Sequence, residues 1–76
     1  MIKNKIKEFQ NVRMMVTAKF QDDPSIIKTE TLRFSADLGQ DLNRDFLMSH
    51  ADKVFKWWDI VDVKLINSFV DSTEVI

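Results

Sequence analysis

The sequence predicts an α+β fold: a small ββαβ domain whose three-stranded sheet, in the order 2-1-3, carries one helix packed on one face. Three observations predict it. Apolar residues alternate from Val12 to Phe34, recur at helical spacing from Leu42 to Trp58, and alternate again from Val61 to Leu65. Alternation is the period of a strand, and recurrence every three to four residues is the period of a helix.

Residues 1–10 come first. Ile2, Ile6 and Phe9 fit one face of a short helix, or the segment forms a mobile arm leading into the sheet. From Asn11 to Gln21 the chain reads as a strand. Val12, Met14, Val16, Ala18 and Phe20 share an inner face, and Arg13, Met15, Thr17 and Lys19 share the outer one. Asp22-Asp23-Pro24-Ser25 then marks a turn, since proline fixes φ and cannot donate to a ladder. Ile26 to Ser35 returns as a second strand, with Leu32 and Phe34 inward and Ile27, Thr29, Thr31 and Arg33 outward.

Gly39 marks the next connection, and Asp41 is the expected N-cap of a helix running to about Asp59. Ile60 to Val70 follows as a third strand. Val61, Val63, Leu65 and Phe69 are expected on one face, with Asp62, Lys64, Ile66 and Ser68 opposite. Residues 71–76 are read as a short tail. A helix between the second and third strands implies a crossover that lays those two parallel. The first strand, most apolar on its inner face, then takes the centre. The expected core is Val12, Met14, Val16, Leu32, Phe34, Leu47, Val54, Trp58, Val61, Val63 and Leu65.

A chain of 76 residues is read as a single domain, 1–76. Its core is thin, because a chain of this size buries only about 60% of its unfolded surface. With no cysteine and one histidine, neither a disulfide nor a zinc site is expected to reinforce it. No leader or membrane span is expected, and a cysteine-free chain fits the cytoplasm. The net charge of −1 hides an asymmetry: residues 1–33 carry seven cations and four anions, and residues 34–76 carry four cations and eight anions.

No catalytic, cofactor or metal residues are expected. Ser49 and His50 are adjacent, but helical neighbours point about 100° apart and make no dyad. Asp41 and Asp45 share a solvated helix face, and one glycine builds no phosphate loop. The chain is expected not to be an enzyme, and no small-molecule substrate is inferred.

Two contact surfaces remain. The predicted helix carries an apolar arc about twice as wide as the ~100° stripe that a sheet covers. Its flanks, Phe46, Met48, Phe55 and Trp57, are the expected contact for a protein partner or a second copy in a homodimer. The alternative is nucleic acid on the basic outer sheet face, through Arg13, Lys19, Arg33 and Lys64. That face offers Met15 and Ile66 but no aromatic ring. Its ordinary role would be a solvated half of an antiparallel sheet. The element order resembles that of small early proteins of tailed phages that bind and inhibit host factors, phage-encoded antitoxins among them. The resemblance covers element order alone and implies protein binding and a phage or mobile-element origin.

Overall fold

The computed structural model describes residues 5–75 of the chain, with side chains described for residues 6–73. Its elements run β1 (Lys5–Phe20), β2 (Ile27–Asp37), α1 (Arg44–Val54) and β3 (Trp58–Val75). The sheet order is β2-β1-β3, as the sequence predicts. Both β2 and β3 pair antiparallel with β1, so they run parallel to each other across it.

Inward residues of β1 close against one face of α1. Val12, Met14, Val16, Leu47, Ala51, Phe55 and Val63 form the buried cluster, with Leu32, Phe34, Phe46, Met48 and Trp58 packed around it. Met14 is fully buried. Truncating such a methionine to alanine costs about 2–5 kcal/mol. At one end of the core Phe20 meets Trp58 at 5.2 Å between ring centroids. The Lys28 ammonium lies 4.4 Å from the Phe55 ring and 4.2 Å from the Trp58 ring. Glu30 pairs with that ammonium at 3.4 Å. At the other end the Gln10 side-chain amide donates to the carbonyls of Asp37, Leu38 and Gln40, tying the β2–α1 connection to β1.

Several boundaries differ from the sequence expectation. Residues 5–10 are neither a helix nor an arm. They extend β1 and pair with residues 70–75 of β3, which are strand and not tail. The remainder of the expected arm, and Ile76, lie outside the described residues.

The helix is shorter than 41–59. Asn43, not Asp41, is the N-cap, and its side-chain oxygen accepts the Phe46 N–H at 2.9 Å. At the other end Phe55 leaves helical geometry while its N–H still reaches the Ala51 carbonyl. Trp58 then joins the ladder opposite Phe20. Ladder pairing there overrides a local pattern that reads as helix.

The third correction concerns β3. Its register slips twice against β1, leaving Val61 and Ile66 without partners. Each is a β-bulge, an extra residue that reverses the alternation beyond it. Ile60, Val63, Leu65, Ser68 and Val70 therefore pair with the inward residues of β1. Of the expected core, Val61 is 47% exposed, Leu65 38% and Val54 49%. Phe55, Ala51 and Ala18 are buried instead.

Candidate nucleic-acid interface on the outer sheet face

Residues paired across antiparallel strands point to the same side of the sheet. The register therefore arranges the outer face in rows across β2, β1 and β3. The central row is Arg33–Arg13–Asn67. Ser35–Asn11–Phe69 lies beside it in one direction and Thr31–Met15–Lys64 in the other. Asp37–Phe9–Asp71 closes the first side, and Thr29–Thr17–Asp62 closes the second.

Arg13 and Arg33 are direct cross-strand partners. A favourable pair at such a position contributes about 0.2–1 kcal/mol, and like charges reverse the sign. No ion pair among the described residues relieves the repulsion. Among the described residues the ion pairs are Lys28–Glu30 and Arg44–Asp62, so neither guanidinium has a carboxylate within 4.0 Å. Arg13 is half-buried and Arg33 exposed.

The two arginines line a concavity of about 340 Å³ together with Asn11, Ser35, Asn67 and Phe69. Its polar side chains are unevenly committed. Asn11 donates from Nδ2 to Asp71 at 2.9 Å. Asn67 makes no side-chain hydrogen bond to another described residue. An adjoining hollow of about 260 Å³ includes Lys7, Phe9 and Thr73.

The neighbouring carboxylates are partly occupied elsewhere. Asp62 accepts from Arg44 at 2.7 Å, and this hydrogen bond holds its carboxyl below the usual carboxylate range. Asp71 accepts from Asn11 and from the Ser72 N–H.

Phe69 is 57% exposed on this face, which corrects the expectation that the face lacks an aromatic ring. The bulge at Ile66 is the cause, since it moves Phe69 from the inner to the outer side. Phe9, half-buried, joins it one row further out. Of the four basic residues proposed from sequence, Arg13, Arg33 and Lys64 come together in adjacent rows. Lys19 does not. It lies six residues along β1 from Arg13, about 20 Å away at strand spacing, between Ile27 and Asp59.

Comparison of the chain with protein-family models, curated proteins and solved structures finds no match. Function has to be read from the chain's own residues.

The helix-flank surface fares differently. Phe55 is a core residue at 8% exposure. Phe46 packs 6.1 Å from the Phe34 ring, and Met48 is half-buried against the cluster. Trp57 alone is freely exposed, at 71%. The over-wide arc arose from extending helical phase through residues 55–58, where the chain has already turned.

His50 stacks on Phe34 with ring centroids 3.8 Å apart and planes 20° from parallel. Desolvation, then the nearby Lys53 charge, lowers its pKa from the ordinary histidine value. Among the described residues no group of three or more His, Cys, Asp or Glu side chains could hold a metal. No helix in them is long and apolar enough to cross a membrane.

The bulges left a trace in the sequence. Val61, Val63 and Leu65 occupy odd positions, whereas Trp58, Ile60, Ile66 and Val70 occupy even ones. One uninterrupted alternation cannot bury both sets.

Proposed function

We propose that this chain is a nucleic-acid-binding protein whose interface is the outer face of its sheet. The observation that carries the reading is the facing pair Arg13 and Arg33, two cations without a carboxylate at a position where like charge destabilises the sheet. A phosphate between them would turn that repulsion into two charge-assisted contacts, because guanidinium geometry suits phosphate oxygens. Lys64 in the adjacent row supplies a third cation. The acidic balance of the whole chain argues for a local contact rather than a nonspecific basic surface.

Fluorescence anisotropy with labelled oligonucleotides tests the reading. Binding should weaken steeply as salt rises, since phosphate neutralisation releases counterions. Arg13→Glu should abolish it, whereas Lys19→Glu, remote from the patch, should leave most of it. Absence of binding at low salt, or equal sensitivity to the two substitutions, would reject it.

A second reading, association with another copy, rests on shape. The radius of gyration is 15.7 Å, against about 11 Å for a compact chain of this length. Ile6, Val70 and Trp57 are 60% exposed or more. Sedimentation equilibrium showing a constant mass near 9.0 kDa up to high concentration would dismiss it.

A further inference from the structure

Resting on the reading above, we infer that the ligand is a single strand. One backbone phosphate sits between Arg13 and Arg33, and the adjoining base stacks on Phe69. The placement follows from three features of the outer face.

The first is the ring. Phe69 occupies the row next to the arginines, on the same face and in the same concavity. A duplex hides the faces of its bases within its own stack, whereas a single strand can splay a base onto an aromatic side chain. An exposed ring beside a phosphate site therefore selects against duplex.

The second is the direction of the charge. Arg33 and Arg13 lie in one row across β2 and β1, and Lys64 lies on β3 in the next row. On β2 and β3 the flanking rows carry Asp37 and Asp71 one way and Asp62 and Asp59 the other, while β1 itself carries Lys7 and Lys19 further out. A phosphate chain running along β1 would find the next cations, Lys7 and Lys19, about 20 Å from Arg13 in either direction. One crossing the strands would meet three cations. The stretch between the flanking rows, from Asn11 to Met15, is about 13 Å at strand spacing, and the concavity of about 340 Å³ is at the small end of ligand sites. The site thus holds one stacked nucleotide and its immediate neighbours.

The third is the amide at the edge. Asn67 is in the arginine row, and its side chain has no partner among the described residues. A carboxamide presents a donor and an acceptor together and can pair with a base edge. Asn11 is less available, because Asp71 holds its Nδ2.

The experiment compares one mixed-sequence oligonucleotide of about 10 residues as a single strand and as a duplex, across about 50 to 200 mM salt. Wild type, Phe69→Ala and Arg33→Gln are measured by anisotropy, with circular dichroism confirming that each variant is folded. The single strand should bind more tightly than the duplex. Two phosphates, one shared by the arginines and one on Lys64, predict a slope of log affinity against log salt of about −1.4 for a single strand. Phe69→Ala should weaken binding by about 5- to 150-fold and leave that slope unchanged. Arg33→Gln should instead weaken binding and make the slope shallower by at most about 0.7, since Arg13 still reaches the shared phosphate. If the duplex binds as well and Phe69→Ala changes nothing while Arg33→Gln still weakens binding, the stacking inference is overturned and the basic face stands. If neither form binds, both fall.

Discussion

At the residue scale, His50 is the chain's only histidine and reports on one packing contact. Stacked on Phe34 and partly desolvated, its ring disfavours the charged form. Its pKa in the folded protein is below the unfolded value of 6.5. The sign follows from linkage: the contribution of neutral His50 is fully present above that value and is lost as pH falls through the folded pKa. An NMR titration should therefore place the imidazole transition below 6.5. In His50→Gln, this part of the loss of stability on acidification should vanish when urea midpoints are compared on either side of the transition. The sequence located His50 within an apolar arc, but its stacking partner belongs to a different element. Local spacing carries no record of which β2 ring arrives.

At the element scale, the helix and β3 show which signals are legible. The existence and type of every element could be read from period, and so could the inward set of β1, because a central strand repeats one pattern without interruption. Helix limits could not. Asp41 and Asn43 are both good capping residues, and the choice between them depends on where the preceding turn delivers the chain. A paired test separates them. Asn43→Ala should cost about 1 kcal/mol through the lost bond to the Phe46 N–H. Asp41→Ala should change stability by less than about 0.5 kcal/mol, as expected for an exposed site without such a role. Chemical denaturation of the two variants checks this directly. Phe55, Trp57 and Trp58 misled for a related reason: their spacing continues helical phase, but Trp58 already has a ladder partner in Phe20.

At the scale of the whole molecule, the sheet determines the shape. β3 has 18 residues, and at about 3.3 Å each it matches the 60 Å long axis. The helix has 11 residues and spans only about 17 Å. Much of the sheet is therefore uncovered on both faces, which is why so many large apolar side chains are exposed beside a small core. The order 2-1-3 was legible because crossover rules leave few alternatives. The candidate site was legible in part. Arg13, Arg33 and Lys64 were identifiable from alternation, but Phe69 and Asn67 depend on a bulge that alternation alone does not position.

That bulge has a consequence for how the chain tolerates change. β1 has 16 residues and β3 has 18, so β3 carries two residues of slack, Val61 and Ile66. Deleting either would let the residues on both sides close into a regular ladder with every other pair retained. Deleting Val63 would instead remove a buried residue from the cluster. Thermal melts should therefore show the single deletions of Val61 and Ile66 folding cooperatively, with loss of Val63 far more damaging. Slack of this kind absorbs a lost codon in one place and not in the next, so length variation in this strand should collect at its two unpaired positions.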